Sequence, residues 1–327
     1  MPAIFDALPG YEVPVGGIAK GLEQMWADTS AAGREAPAAE DGKATQVNLV
    51  LHLGLNTTVP DAEEQFQVAR RFSQRYPSRV VVLCPQEDAT GAAGMRAKVY
   101  GECFLGKSKA DKRCVEFVML SYPRAVREHL ENQVSICLST DLPLYYWPHR
   151  FSSTAHLADY RYLLTRANRI LIDSAVAPPG AMTFAWPRPA AVRDLVLARL
   201  LPVRQSLGQF LSRYAMDVLS AGLQSVTLTH APALAPEGAV LLAWLQERLT
   251  QCGEQGATFT AAPLAAGAAG SFALSFNYEG IKFFRWSGDL ATHLAQFEAD
   301  FGTARTTLPS SVALLVPEAA LSEAMFF

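Results

Sequence analysis

Five cysteines and six histidines are the residues of this 327-residue chain with the most obvious capacity for redox or metal chemistry. No two cysteines follow the Cys-x-x-Cys spacing and the histidines stand singly, so neither a zinc site nor an export-type disulfide framework is favoured. Cys103 and Cys114 lie about equally far from the centre of a lysine-rich turn and would face each other if their two strands pair. Their apolar neighbours favour two inert thiols over the alternative, a redox-active pair.

The common catalytic and phosphate-binding motifs are absent from the sequence. It contains no GxGxxG, no P-loop, no HExxH and no GxSxG pattern. Residues 106–113 concentrate four cations, a pattern typical of a solvated hairpin tip and also of a loop that binds phosphate or an acidic partner. The sequence therefore predicts no catalytic residue, no cofactor-binding residue and no metal ligand.

Three consecutive aromatic residues, Tyr145, Tyr146 and Trp147, stand between two prolines. Large aromatic side chains each bury on the order of 150–250 Å², so this segment is either core or a contact surface. The flanking prolines favour a constrained, accessible stretch, and Arg150 adds a residue type enriched at interface hot spots. We therefore predict that Tyr145, Tyr146, Trp147 and Arg150 bind a partner protein; the alternative is that the aromatics are core.

Composition and charge exclude several classes of protein. Half of the residues are hydrophobic, 18% are charged and the net charge is −3, which is a globular composition with no general attraction to nucleic acid or anionic lipid. The longest apolar run is much shorter than the ~20 residues that span a bilayer. The first residues lack the pattern of a secretory signal. We therefore expect a cytoplasmic protein that binds neither nucleic acid nor membrane.

The hydrophobic patterns predict an α/β fold in two domains. A strand at Gln46–Leu53, a helix capped by Asp61 and a strand at Arg79–Leu83 indicate a mostly parallel sheet with flanking helices. We predict an N-terminal helix and flexible linker over 1–45, an α/β domain over 46–175 and an α+β domain over 190–327. A proline-rich stretch at 174–190 marks the boundary between the two domains.

Several segments, in this order, resemble motifs of one family. Val47–Val50 is similar to an opening strand, and Tyr76–Val82 is similar to His-Pro-Ser-Arg-Val-Ile-Val. Cys103 and Cys114-Val115-Glu116 match a cysteine in one strand and Cys-x-Glu in the next. Asp141–Pro148 is similar to Asp-Leu-Pro-Val-x-x-Trp-Trp, and Asn168–Ser174 to Asp-Arg-Val-Ile-Val-Asp-Ser. The chain resembles the bacterial glucose-6-phosphate dehydrogenase assembly proteins, the OpcA family. It departs from the family at Leu197, Leu201 and Val203, which replace Trp, Thr and Trp.

The resemblance implies a non-catalytic partner of glucose-6-phosphate dehydrogenase, without a cofactor, that supports assembly or allosteric activation in the oxidative pentose phosphate pathway. The alternative is a small-molecule enzyme or metabolite sensor. Its site would lie at the carboxyl ends of the parallel strands, near Pro85 or Asp173.

Overall fold

The computed structural model describes residues 3–37, 45–86, 94–105, 112–264 and 270–327 of the chain. The chain divides into two compact units. The first comprises Met1–Leu195 together with Pro317–Phe327, and the second comprises Val196–Val316.

The first unit is built on one mixed sheet. Within its described residues eight strands pair in the order β1-β4-β5-β3-β2-β6-β7-β8. The strands from β5 to β8 in that order are parallel, whereas β4 is antiparallel to both β5 and β1. In chain order the strands are β1 Tyr11–Val13, β2 Val47–Leu53, β3 Ser78–Gln86, β4 Arg96–Leu105, β5 Lys112–Pro123, β6 Leu144–His149, β7 Arg169–Ile172 and β8 Val192–Asp194.

Helices accompany this sheet, which explains why its central strands read as continuous apolar runs rather than alternating ones. Every residue of β2 is buried. The helices in chain order are α1 Ile4–Ala7, α2 Ile18–Ala31, α3 Val59–Arg75, α4 Leu130–Cys137, α5 Thr154–Ala158 and α6 Arg161–Arg166.

The helix after β2 begins earlier than the sequence suggested. We predicted Asp61 as its cap, but Thr58 occupies that position, and its side-chain oxygen accepts a hydrogen bond from the Asp61 amide at 3.4 Å. Pro60, which follows at the start of the helix, suits the first turn because that turn requires no amide donor. The Asp61 carboxylate is consequently available for contacts with the sheet.

The second unit contains its own sheet and core. Among its described residues, six strands pair in the order β10-β9-β11-β12-β13-β14; only β9 and β10 are parallel. Phe210 stacks on Phe297 within the core, with ring centroids 4.5 Å apart. The elements are α7 Leu195–Arg199, α8 Leu201–Leu211, α9 Met216–Ser220, β9 Leu223–His230, α10 Ala235–Gln251, β10 Thr258–Pro263, β11 Ser271–Tyr278, β12 Phe283–Asp289, β13 Leu294–Asp300 and β14 Thr306–Ser311.

The observed units differ from the predicted domain boundaries at both ends of the chain. The proline-rich stretch 174–190 lies inside the first unit, because β8 follows it and pairs with β7. The last helix, α11 (Pro317–Phe326), also belongs to the first unit, where Arg71 and Glu318 form an ion pair at 3.1 Å. Helix α2 extends into the predicted linker, of which residues 38–44 lie outside the described residues.

The predicted α/β class, with a mostly parallel first sheet and an α+β second part, is confirmed. The strand order reverses between β2 and β6, so the carboxyl ends of these two strands border the crevice where open parallel sheets usually bind ligands. In the described part of the chain, no helix has the length and apolarity needed to cross a bilayer. The cation-rich turn at 106–111 lies outside the described residues.

Candidate functional site

The three aromatics predicted to bind a partner lie in the core. Strand β6 is hydrogen-bonded between β2 and β7, and Tyr145, Tyr146 and Trp147 are 8%, 0% and 3% exposed. As folded, these side chains present almost no surface to a partner, so this part of the prediction is corrected. The physical reason is that an interior parallel strand is covered on both faces, which makes consecutive large apolar side chains favourable there.

On one face of the sheet the Tyr146 side chain of β6 joins a hydrogen-bonded network. The two ring nitrogens of His52 lie 2.9 Å from the hydroxyl of Tyr146 and 2.7 Å from that of Tyr122. The Tyr122 hydroxyl also contacts that of Tyr160 at 2.7 Å. Burial lowers the pKa of His52 to about 3, so the imidazole is neutral at physiological pH. Both ring nitrogens have partners, and the network therefore stabilises the core.

At the end of β6, on the opposite face, three side chains meet at the start of α3. Asp61 Oδ2 lies 2.8 Å from His149 Nε2 and 2.7 Å from Arg150 Nε. Burial lowers the pKa of His149, and the hydrogen bond that its imidazole donates to Asp61 opposes this shift. The His149 Nδ1 atom is buried without a hydrogen-bond partner. The cluster orients one imidazole and one guanidinium around a single carboxylate.

Of the predicted partner-binding residues, Arg150 is the one with substantial exposure, because 40% of its side chain is accessible. Its backbone has φ of 50°, which is uncommon for a residue other than glycine. Gly54 permits this conformation to pack against β2, since a Cβ at Gly54 would lie 2.3 Å from the Arg150 carbonyl oxygen. The Gly54 amide also donates to the His149 carbonyl at 2.6 Å.

A cavity of 280 Å³ lies at the carboxyl ends of β2, β3 and β5, and Pro85 lines it, as do residues of the N-terminal segment. Phe5 and Leu8 of this segment are buried. Lys98 Nζ holds the segment in place by donating to the carbonyl oxygens of Phe5 at 2.7 Å and Leu8 at 3.1 Å. Asp173, the other predicted position, does not line this cavity; its carboxylate accepts from the Ala175 amide in a local turn.

The residues of the predicted family motifs hold the sheet together. Arg79 and Glu116 are directly opposed on β3 and β5, and their side chains form a buried ion pair. Trp26 Nε1 donates to the same carboxylate at 2.8 Å, and Arg79 Nη1 donates to the Cys137 carbonyl at 3.0 Å. Asn48 Nδ2 donates to the carbonyl of Ser139 at 2.8 Å, which fixes the loop before β6.

Cys103 and Cys114 form a disulfide between β4 and β5. The two residues are direct partners in the antiparallel register, with their Cα atoms 4.0 Å apart. The preference for two free inert thiols is therefore corrected. The apolar neighbours alternate along each strand, whereas the cysteines themselves face each other, and pairing geometry rather than polarity decides whether a bond can form.

Comparison with known proteins finds a family match in the middle of the chain. Residues 69–185 match a family model described as "Glucose-6-phosphate dehydrogenase subunit N-terminal domain", the OpcA family. Over these residues, about a third of the chain, the sequence is similar to the OpcA family. No curated protein matches the chain.

One solved structure with similarity is the aldose-aldose oxidoreductase from Caulobacter crescentus complexed with glycerol. It is 10% identical, covers 86% of this chain and 87% of its own, and superposes with a TM-score of 0.40. Similarity at this level supports no conclusion about the activity of the present chain.

The OpcA match begins within α3 and ends before β8, so it contains the Arg79–Glu116 ion pair, the disulfide and the whole of β6. The motif resemblance at Leu197, Leu201 and Val203 lies beyond it. Val203 is buried in the core of the second unit, and Leu197 and Leu201 are partly buried. An aliphatic side chain satisfies such apolar surroundings without a polar partner.

Two features escaped the sequence reasoning. One is the Asp61–His149–Arg150 cluster, which the positions of His149 and Arg150 directly after a predicted strand could have indicated. The other is the pairing of Arg79 with Glu116, for which the adjacent motifs gave the signal. Within the described ranges, no group of three or more His, Cys, Asp or Glu side chains is placed to hold a metal ion.

Proposed function

We propose that this chain is a non-catalytic partner of glucose-6-phosphate dehydrogenase. It would support assembly or allosteric activation of that enzyme through protein–protein contact, at the entry of the oxidative pentose phosphate pathway. The observation that carries this proposal is the match of residues 69–185 to a family model described as a subunit of this dehydrogenase.

The use of the motif residues supports a scaffold role. Arg79 and Glu116 neutralise each other between two strands, and Asn48 is used to hold a loop. Asn168 does the same for the start of β6, where its Oδ1 accepts from the Leu144 amide at 3.0 Å. Side chains used in this way stabilise a rigid sheet, and rigid elements are favourable supports for a docking surface.

We propose Arg150 as a contact residue for the dehydrogenase, with the buried Tyr145, Tyr146 and Trp147 supporting the strand beneath it. Arginine is enriched at interface hot spots because its guanidinium donates several hydrogen bonds in a fixed geometry. The αL backbone and the Asp61 ion pair fix the direction of this side chain before a partner binds. Such preorganisation reduces the entropy lost on association.

The alternative, a small-molecule enzyme or sensor, would use the cavity at the carboxyl ends of the strands. Its volume of 280 Å³ is slightly below the range of roughly 300–1,000 Å³ that ligand sites usually occupy. The N-terminal segment, held by Lys98, occupies one side of this crevice. Purified protein that carries a bound metabolite and does not co-elute with the dehydrogenase would favour the alternative.

The proposal is tested by mixing the chain with glucose-6-phosphate dehydrogenase from the same organism. We expect a new, faster-sedimenting species and a change in the initial rate of the dehydrogenase. Arg150→Asn should weaken binding at least tenfold, which corresponds to about 1.4 kcal/mol. Asparagine is the appropriate replacement because it tolerates φ > 0. Arg248→Asn, at an exposed ion-paired arginine, is the matched control.

No change in sedimentation or in rate, at concentrations far above micromolar, would refute the proposed partnership. Binding that is unaffected by Arg150→Asn would refute only the contact assignment.

A further inference from the structure

Two arginines lie on neighbouring parallel strands of the first unit. Arg169 begins β7 directly opposite Tyr145 of β6, and Leu171 is opposite Arg193 of β8. Because side chains two residues apart on a strand share a face, Tyr145, Arg169 and Arg193 all project from the same face of the sheet. We call these three residues the arginine cluster.

Neither arginine has an acidic partner in the part of the chain that the structure describes. Among the described residues, no carboxylate forms an ion pair with Arg169 or Arg193. Arg193 Nη1 donates to nearby carbonyl groups, those of Val192 at 2.8 Å and Ala190 at 3.0 Å. Arg169 Nε is buried and has no hydrogen-bond partner. Both side chains are partly buried, so solvent neutralises their charge incompletely.

This arrangement is unfavourable without an anion. A buried N–H group without an acceptor and two like charges in a partly desolvated place both cost free energy. Burial and, secondly, the charge of Arg169 lower the pKa of Arg193, which reports the same conflict. The buried Arg79–Glu116 ion pair shows how this fold neutralises an arginine when a carboxylate is available.

Two further groups adapt the cluster to an oxyanion. Among the described residues, the Tyr145 hydroxyl has no hydrogen-bond partner and can therefore donate to a ligand. The ring of Phe326 from α11 lies 5.9 Å from the Tyr145 ring and forms an apolar wall. Guanidinium groups match the oxygens of phosphate with paired donors, and an apolar wall strengthens such charge-assisted hydrogen bonds.

We propose that Tyr145, Arg169 and Arg193 bind a phosphate-class oxyanion, either inorganic phosphate or the phosphate group of a monoester. The site is independent of the proposed partnership with the dehydrogenase. It lies toward the amino ends of β6 and β7, whereas Arg150 follows the carboxyl end of β6. Both ligands present the same phosphate oxygens, and their affinities can be compared to distinguish them.

The test is isothermal titration of the full chain with inorganic phosphate, with glucose 6-phosphate and with glucose. We expect binding of phosphate and of the phosphate ester and none of glucose. Tighter binding of the ester than of phosphate would identify a monoester as the ligand; equal affinities would identify the free anion. Chloride at matched ionic strength should produce no heat of binding.

Arg169→Gln and Arg193→Gln should each raise the Kd for phosphate at least tenfold, whereas Arg161→Gln, at an exposed arginine on α6, should leave it unchanged. In the absence of phosphate, Arg193→Gln should melt at the same or a higher temperature, because it removes a like-charge contact. If a glutamine variant is poorly folded, Arg193→Lys keeps the charge but removes the paired donors, and it should also weaken binding. Unchanged phosphate affinity in these variants, or an equal response to chloride, would overturn the proposal.

Discussion

Substitution of Trp147 tests whether this residue belongs to the core or to a protein–protein interface. Its side chain is 3% exposed and lies on an interior strand, with its ring centroid 6.1 Å from that of His149. Truncation of a buried tryptophan to alanine typically costs about 3–5 kcal/mol, because it leaves a cavity as well as removing apolar contacts. For a unit of this size a loss of 1 kcal/mol lowers Tm by roughly 2–4 °C. We therefore expect Trp147→Ala to lower Tm by roughly 10 °C.

Trp147→Phe is the matched control. The indole Nε1 of Trp147 is buried without a hydrogen-bond partner, and such an orphan donor costs about 1–3 kcal/mol. Phenylalanine removes this donor and keeps most of the apolar contact, so the two effects offset and stability should change by less than about 1.5 kcal/mol. Calorimetry of both variants, beside sedimentation with the dehydrogenase, provides the measurement. Unchanged Tm for Trp147→Ala together with lost binding would refute the assignment of this residue to the core.

Three further predictions concern the first unit. Cys103→Ser should lower the free energy of unfolding by about 2–4 kcal/mol, as loss of a disulfide typically does, whereas Cys252→Ser, at a free cysteine, should not; equal effects in urea titrations would contradict the disulfide. Arg79→Met should cost about 3–5 kcal/mol because it leaves Glu116 buried without its partner, and Arg79→Met with Glu116→Leu should recover most of this loss; failure of the double variant to recover would show that the pair does more than neutralise charge. His52 has a lowered pKa of about 3 in the fold, so the unfolded state binds more protons, and stability should fall as pH decreases from about 6.5 towards 3; the slope should flatten in His52→Gln, and an identical slope would exclude this histidine.

Elements with strong local patterns were predictable from the sequence. The strand predicted at Gln46–Leu53 is β2, which begins one residue later, and the strand predicted at Arg79–Leu83 lies within β3. A run of β-branched and aliphatic residues between turn formers leaves few alternatives to a buried strand. The strands β13 and β14 were not predicted. The turn at 290–293, which precedes β13, contains neither glycine nor proline and so gives no turn signal in the sequence.

The burial of β6 and the place of α11 were not predictable in the same way. Whether Tyr145–Trp147 face solvent depends on which strands lie beside them, and β2 and β7 come from segments distant in the chain. Helix α11 follows the second unit in the chain but belongs to the first. There the ring centroids of Phe326 and Tyr76 lie 4.8 Å apart. Local patterns specify the elements, whereas the partners of an element depend on contacts between remote segments.

The same dependence explains why the family motifs point to a family without pointing to a site. Arg79, Cys103 and the segment Cys114-Val115-Glu116 stand in separate motifs, yet the sheet register makes Arg79 the direct partner of Glu116 and Cys103 that of Cys114. The functional groups of these side chains are engaged in an ion pair and a disulfide. The functional proposals therefore rest on residues such as Arg150, whose charged side chains remain accessible in the fold. Such residues become recognisable only when the register and burial of each strand are known.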